Sequence, residues 1–445
     1  MRDLVLLSLL PLILFAMGNR PFIALGMWIW TAMFFPNGWV YGIASGIRYN
    51  LLFAAFAVAG YFLFAEKKPV RWGSIGFLVT AFFLWTTVTT LNTSGIPEIS
   101  WDYWSRFLKV FLLFVFVVLI AQKKLHIDFF LWSLVLSIGF YAVVEGLKFI
   151  ISGGGHQIAG LAGHILGDRN DLALAFVMML PICVYLFTEY GKTSKWARLI
   201  LVGAIIFMLL SIVGTQSRGG LIALLVLVLY LFVKSNHKLP IAMLIIVAAG
   251  IASTLVTDQW LSRMDTISDA NKDASFMGRV VAWKLSLILA VQHPFVGGGF
   301  KTLEVLPVWQ RLVQQFDTLP FFHTGDAVPN PESVLAAHSV YFQVLGDHGF
   351  VGLGLYLLVL LAAFRGTSRV VKRARRLNAE PWIVSMATML RLSIFAFCLG
   401  GAALSMAYFE LIFAIFGLVV VLDKKILPEE VRAPYGKSAA RPAPA

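Results

Sequence analysis

The chain has 445 residues, of which 59% are hydrophobic and 13% are charged, and its formal net charge is +13. Its mean hydropathy is +0.82. This composition excludes a soluble globular domain, because apolar runs long enough to cross a hydrocarbon layer of ~30 Å recur along the whole sequence. Such runs must be helical, since lipid cannot satisfy open backbone groups. Most basic residues fall in short loops, where they set membrane orientation, so the positive charge does not predict nucleic-acid binding.

The apolar runs predict an all-α polytopic membrane protein with about twelve transmembrane helices. The first run is interrupted by Gly18-Asn19-Arg20-Pro21 and is counted here as one broken span. It resembles a signal peptide, but no small-residue cleavage pattern follows it, so we expect a retained helix. The runs are approximately 4–35, 47–65, 72–91, 105–121, 127–150, 171–188, 197–213, 219–233, 239–256, 340–364, 383–403 and 407–422.

Four segments of different composition follow from this pattern. The tail is rich in Pro, Ala and charge, which predicts disorder. The segments are N-terminal transmembrane helices at 1–256, a large polar loop with amphipathic helices at 257–339, C-terminal transmembrane helices at 340–423, and the tail at 424–445.

The basic loops alternate along the chain in a way that places them on one side, predicted to be the cytoplasm. Lys424-Lys425 joins them if 383–422 is a hairpin that turns between Ser405 and Glu410, and both termini are then cytoplasmic. The basic loops are those at 67–71, 123–124, 192–198, 234–238 and 365–376. The loops on the other, extracytoplasmic side are 36–46, 92–104, 151–170, 214–218 and 257–339.

Three arginines lie on this outer side, each near the edge of a helix: Arg169 in GDRND, Arg218 in GTQSRGG and Arg279 in SFMGRVVAW. Arginine there runs against the positive-inside bias, and its planar guanidinium suits phosphate. We therefore expect the three to hold the phosphate or pyrophosphate of a lipid headgroup. Ordinary alternatives remain for each of them: Arg169 could pair with Asp168 or Asp171, Arg218 could simply cap a helix, and Arg279 could lie at the interface of an amphipathic helix.

His338, in AAHSVY, is among the last polar residues of the large outer loop and is predicted to stand directly before a span. An imidazole with an ordinary pKa near ~6.5 can accept a proton from a sugar hydroxyl near neutral pH. The chain has 8 histidines, so the residue type alone decides little. The alternative is an inert polar group at the start of a helix.

The remaining motifs of the large loop point to structure more than to chemistry. HPFVGGGF at 293–300 is not a dinucleotide-binding fingerprint and is interpreted as a hinge or tight turn. The helical spacing of 303–316 predicts either a helix on the membrane surface, lining an acceptor groove, or a packed loop helix. Cys183 and Cys398 are predicted to be small core residues. No metal-binding pattern is evident in the sequence, so no metal and no cofactor are expected.

Three stretches resemble the O-antigen ligase and O-antigen polymerase superfamily: SRGG at 217–220, the segment 278–300, and HSVYFQVLGDHGFVGLGLYL at 338–357. The resemblance implies a glycosyltransferase C-type fold in the bacterial inner membrane. It also implies an O-antigen ligase, which moves a glycan from undecaprenyl pyrophosphate to the lipid A–core saccharide at the periplasmic face. By the same resemblance His338 is catalytic, Arg218 and Arg279 bind the donor pyrophosphate, and Arg169 matches a further basic position.

Two features leave the acceptor open. Asp347 stands where many members of the superfamily have Glu, which argues against a direct role for that acid. GDRND also resembles O-glycosylation ligases of exosortase-associated clusters. A polymerase or a protein O-glycosylation ligase with the same donor is therefore an alternative, and a transporter of lipid-linked glycans is a more distant one. The expected partners are the lipid-linked donor, the lipid A–core acceptor and membrane lipids, and no nucleic acid.

Overall fold

The computed structural model describes residues 2–234 and 274–432, with Lys238, Leu239, Ala242, Ile246 and Gly250 between them. This part of the chain is all-α and contains no strand, which confirms the predicted class. Eight of its helices are long and apolar enough to cross a membrane, which fits a polytopic membrane protein. The predicted span at 239–256 lies almost entirely outside the described residues.

The helices are numbered here in chain order. They are α1 (Arg2–Gly18), α2 (Pro21–Phe34), α3 (Tyr49–Phe64), α4 (Gly73–Leu91), α5 (Pro97–Ile120), α6 (Lys124–Ile151), α7 (Arg169–Tyr190), α8 (Lys195–Gly214), α9 (Arg218–Lys234), α10 (Ala274–Gln292), α11 (Leu306–Val313), α12 (Val340–Arg376), α13 (Pro381–Gly400), α14 (Glu410–Val421) and α15 (Leu427–Arg432).

The core of the bundle is formed around α7 and α14, whose side chains are buried on almost every side. Helix α7 packs against α6, α8, α9 and α13, and α14 packs against α4, α5, α12 and α13. A helix that is apolar all round is stable only inside a larger assembly of helices. These two helices therefore hold together the outer helices that carry the functional loops.

One end of the bundle collects the basic loops. Lys68 pairs with Glu429 at 2.9 Å, and Lys124 pairs with Glu189 at 3.2 Å. The end of the bundle that contains these two ion pairs is called the Lys68 end. The opposite end, called the His338 end, collects the loops predicted to lie outside: the N–H of Ser94 donates to the carbonyl of Gly298 at 2.9 Å. The predicted grouping of these loops is therefore present in the fold.

The first two helices form an antiparallel hairpin, so the prediction of one broken span at 4–35 is wrong. The backbone N–H of Tyr41, which follows α2, donates to Oδ1 of Asp3 at the start of α1, at 2.7 Å. Two collinear helices would hold these residues tens of ångströms apart at 1.5 Å per residue. Pro21 begins α2 because its missing N–H costs nothing there. Asp3 consequently lies at the His338 end. The sequence analysis expected the start of the chain on the side of the basic loops, which is the Lys68 end, and this prediction is wrong for α1.

The C-terminal helices form the predicted hairpin, with α13 and α14 joined by a turn at the His338 end. The composition predicted disorder from residue 424 onwards, but the chain stays helical as far as Arg432. Residues 422–426 form a π-helical turn and α15 follows it. The ammonium of Lys425 donates to the carbonyls of Val118 and Leu119 at 2.5 and 3.2 Å, and so caps the end of α5. The residues after Arg432 lie outside the described part.

Helix α12 is two helices joined at Gly349, whose φ of 67° and ψ of −169° are not helical. The phenol of Tyr341 donates to the carbonyl of Cys398 near the end of α13, which keeps residues 340–348 at the His338 end. The apolar run after residue 340 therefore begins with a short helix at that end, and the long helix begins after Gly349. The prediction that His338 stands directly before a span is therefore wrong, because the short helix lies between His338 and the long helix.

Helix α10 has the length and composition of a span, but its neighbours are α11 and the first part of α12. Trp283 of α10 stacks on Phe342 at 5.3 Å, and Val308 and Trp309 of α11 are buried in the same cluster. The predicted amphipathic helix therefore lies at the His338 end. The segment 303–316 is a packed loop helix there.

Candidate active site

His338 occupies a strained backbone position. Its φ is 43°, in the left-handed region where side chains other than glycine are uncommon, although His, Asn and Asp are enriched there. Two contacts fix this conformation: the N–H of His338 donates to Oγ of Ser405 at 2.8 Å, and the indole of Trp283 donates to the carbonyl of Ala337 at 2.7 Å. Such strain persists where the surroundings determine it, and it is typical of functional sites.

The imidazole of His338 is half-buried among charged groups. Burial lowers its pKa below the ordinary 6.5, and the positive charge of Arg279 lowers it further, against the opposite effect of Asp168 and Glu304. Burial disfavours the imidazolium because the charged form loses solvation. At neutral pH the ring is therefore uncharged and has a nitrogen lone pair available to accept a proton.

The arginines predicted from sequence converge on the same end. Arg279 of α10 lies within range of charge interactions with Arg218, at the start of α9, and with Asp168. Guanidiniums within charge range of each other repel, and the negative charge of Asp168 opposes this repulsion. Arg169 is the first residue of α7, next to Asp168, and is half-buried.

Asp168, one of the acids that could pair with Arg169, also has a structural role. Asp168 is the N-cap of α7, and its Oδ1 accepts the backbone N–H of Asn170 at 2.7 Å and the side-chain amide of Asn170 at 2.9 Å. An N-cap of this kind stabilises the start of a helix by ~0.5–2 kcal/mol. Asp168 therefore fixes the first turn of α7, from which Arg169 extends.

Sequence reasoning missed Lys301, which follows Phe300 just after the glycine run at 297–299. Its φ is 60°, and its ammonium pairs with Glu304 at 2.7 Å and lies 5.2 Å from the ring of Tyr103. Burial lowers the pKa of Lys301, but the neighbouring Glu304 carboxylate outweighs it and the net pKa is raised. The lysine is therefore a permanent cation within charge range of His338. The signal available in the sequence was the pair of Lys301 and Glu304, opposite charges three residues apart, close after the glycines at 297–299.

The glycine run itself is a docked turn and not a free hinge. The N–H groups of Gly298 and Gly299 donate to the carbonyls of Gly346 and Asp347, both at 2.8 Å. A Cβ at Gly297, whose φ is 63°, would collide with the backbone of Gly349. Glycine is required here because two backbones approach closely at a positive φ. This contact fixes Lys301 relative to α12.

Asp347 holds this turn in place. Its Oδ1 accepts the backbone N–H of Lys301 at 3.0 Å, and its Oδ2 accepts the phenol of Tyr408 at 2.9 Å. The next residue, His348, is also fully engaged: Nδ1 lies 2.7 Å from Oγ1 of Thr89, and Nε2 lies 2.8 Å from the Tyr408 phenol. Asp347 is thus a positioning group, as its departure from the superfamily pattern suggested.

Two spaces adjoin Lys301. A small cavity lies between Lys301, Glu304, Asp347 and Ala337, the residue before His338. A groove of about 480 Å³ lies on the other side, between the first turns of α5 and the segment that contains Lys301 and Glu304. Among the described residues, no group of three or more His, Cys, Asp or Glu side chains is placed to hold a metal ion.

Two family models match the chain. Residues 1–192 match a family of unknown function (DUF5935), and residues 203–357 match the family described as O-antigen ligase. The second match supports the O-antigen ligase and polymerase superfamily. It spans Arg218, Arg279, Lys301 and His338, so most of the candidate site falls inside the ligase match. This family implies a ligase activity of the glycosyltransferase kind. No curated protein matches the chain.

Proposed function

We propose that this protein is an O-antigen ligase of the bacterial inner membrane. It would transfer a glycan from undecaprenyl pyrophosphate to a hydroxyl of the lipid A–core saccharide. His338 is the general base in this proposal, and Arg218, Arg279 and Arg169 bind the donor pyrophosphate. The O-antigen ligase family match over residues 203–357 supports a lipid-linked glycan ligase or polymerase in general terms.

The observation that carries the proposal is the position of a neutral, strained histidine beside Arg279, which in turn lies within charge range of Arg218. His338 is held at φ 43°, and Arg279 lies within charge range of both His338 and Arg218. A base and an anion site side by side are what transfer from a pyrophosphate to a hydroxyl requires. Neither group alone would distinguish such an enzyme from a lipid-binding protein.

The reaction follows from these roles. The acceptor oxygen attacks the anomeric carbon, the hydroxyl proton passes to His338, and the bond from that carbon to the pyrophosphate oxygen breaks. Undecaprenyl pyrophosphate leaves with the bonding electrons, and the arginines stabilise its charge without a metal. A positioned base contributes ~10²–10⁴-fold. A single displacement inverts the anomeric configuration.

The orientation of the bundle is part of the proposal. The Lys68 end carries the exposed cations of 365–376, and positive residues favour the cytoplasm. The His338 end then faces the periplasm, and so does the start of α1. Helix α15 lies at the Lys68 end and so on the cytoplasmic side.

A mutation of His338 in cells tests the proposal. His338→Asn removes the base but tolerates the left-handed backbone, and its membrane level is compared with that of the unaltered protein. We expect long-chain lipopolysaccharide to disappear on a gel while lipid-linked polymer accumulates. Loss of the lipid-linked polymer as well would identify a polymerase, and unchanged lipopolysaccharide would contradict the roles given to His338 and the acceptor.

A further inference from the structure

We infer that the groove between α5 and the Lys301 segment is the binding site for the acceptor saccharide, with a neutral sugar next to Lys301. This inference rests on the proposed glycan transfer and adds to it the second substrate site. The groove is lined by Glu98, Ile99, Asp102, Tyr103, Lys301 and Glu304. Its volume of about 480 Å³ lies in the ~300–1,000 Å³ range of small-ligand sites.

The groove is connected to the catalytic centre through its wall. Lys301 and Glu304 line both the groove and the small cavity that reaches Ala337, the residue before His338. Both also lie within charge range of His338. A saccharide seated in the groove would therefore lie against the Lys301–Glu304 pair, on whose other side the small cavity reaches Ala337.

Charge distinguishes this groove from the donor site. Its lining has three carboxylates, Glu98, Asp102 and Glu304, and the ammonium of Lys301. Asp102 pairs with Arg106 at 2.7 Å and Glu304 pairs with Lys301 at 2.7 Å, so the positive charge at the groove is compensated by carboxylates. The two substrates of a transfer reaction must bind at the same time, so we assign the anionic donor to Arg218 and Arg279 and the acceptor saccharide to the groove.

The groove also has the chemistry that recognises sugars. Carboxylates accept hydrogen bonds from hydroxyl and ammonium groups, with one or two oxygens each. The half-buried ring of Tyr103 lies 4.8 Å from the Arg106 guanidinium and 5.2 Å from the Lys301 ammonium, and both cations are hydrogen-bond donors suited to sugar oxygens. Glu98 is exposed in the groove, while Lys301 is held by Glu304 at 2.7 Å and can donate to a sugar oxygen.

The test fills the groove without touching the arginines or His338. Ile99 lines the groove and is 37% exposed, and Ile99→Trp would occupy it. Ile96 precedes the same helix, is 40% exposed and does not line the groove, so Ile96→Trp is the matched control. Transfer by the purified full chain is measured in nanodiscs. The KM for the acceptor is determined by varying rough lipopolysaccharide, and the KM for the donor by varying the lipid-linked glycan.

We expect Ile99→Trp to raise the KM for rough lipopolysaccharide at least ten-fold and to leave the donor KM within two-fold, while Ile96→Trp changes neither. Glu98→Gln should raise the acceptor KM three- to ten-fold. A rise in the donor KM instead would make the groove a donor site and overturn the inference, as would no change in either constant.

Failure of the proposed function is distinguishable from failure of the groove assignment. If the unaltered protein transfers no glycan, binding of a fluorescent core oligosaccharide is measured directly. Binding that Ile99→Trp abolishes and Ile96→Trp preserves would support the groove as a saccharide site. Binding that is absent, or equal in the two variants, would overturn it.

Discussion

The backbone N–H of His338 donates a hydrogen bond to the hydroxyl of Ser405 at 2.8 Å. This bond joins the loop before α12 to the turn between α13 and α14, and it holds the histidine at a φ of 43°. The side chain of the proposed base is therefore aimed by a residue 67 positions away in sequence.

Ser405→Ala should lower the transfer rate about three- to ten-fold. A typical hydrogen bond contributes ~0.5–1.5 kcal/mol, and without it the left-handed conformation of His338 loses population. Steady-state kinetics on the purified protein measure the effect, with kcat expected to fall and the donor KM to stay constant. Ser405→Thr, which keeps the hydroxyl, serves as control. An unchanged kcat in well-folded Ser405→Ala would show that this bond does not aim the base.

The transfer rate should depend on the ionisation of His338. Burial and the charge of Arg279 hold its pKa below 6.5, so the neutral, active form persists through neutral pH and is lost only as the pH falls below that range. Arg279→Gln removes the positive charge and should move the acid limb of the pH–rate profile to higher pH. Arg279→Lys keeps the charge and should leave the limb in place. Both variants weaken donor binding, so the position of the limb is compared and not the rate. A limb that stays put in Arg279→Gln would argue against titration of His338.

The docked glycine turn predicts a stability effect that composition alone does not. Gly297→Ala places a Cβ against the backbone of Gly349 at a φ of 63° and should destabilise the protein by at least about 1–3 kcal/mol. Gly354→Ala, on α12 with open space around the site, is the control and should be neutral or stabilising. Thermal unfolding in detergent measures both. Equal melting temperatures would contradict the close approach of the two backbones.

Some of the fold and site follows from local sequence. The helical class, the grouping of loops at two ends and the position of Arg279 within charge range of His338 and Arg218 depend on apolar periodicity and on the placement of charge. These signals are local to each segment, so they can be read one run at a time. The convergence of the arginines then follows from counting which loops share an end.

Other features depend on contacts between distant segments. The α1–α2 hairpin is fixed by Asp3 and Tyr41, since a Gly-Asn-Arg-Pro break is equally compatible with a kink and with a tight turn. The roles of Lys301 and Ser405 arise from neighbours far along the chain. Gly349 breaks α12 because of the turn docked beside it. No periodicity within a single segment carries such information.

Asp347 provides the clearest test of which acid, if any, shares the base role. Its two oxygens accept the backbone N–H of Lys301 and the phenol of Tyr408, and the residue is 5% exposed. Asp347→Ala leaves the backbone N–H of Lys301 without its acceptor and leaves the Tyr408 phenol with only the His348 ring, which should cost ~1–3 kcal/mol, visible as a lower melting temperature.

Asp347→Asn keeps an acceptor for one of these donors and should be less destabilising than Asp347→Ala. Because Asp347 positions the Lys301 turn and does not accept the substrate proton, the variant should retain the acid limb that belongs to His338, at a reduced rate. The pH–rate profile of purified Asp347→Asn is the measurement, with His338→Asn beside it. If the acid limb vanished in Asp347→Asn while His338→Asn remained active, the base would be the aspartate. His338 would then be an inert polar group before the start of α12.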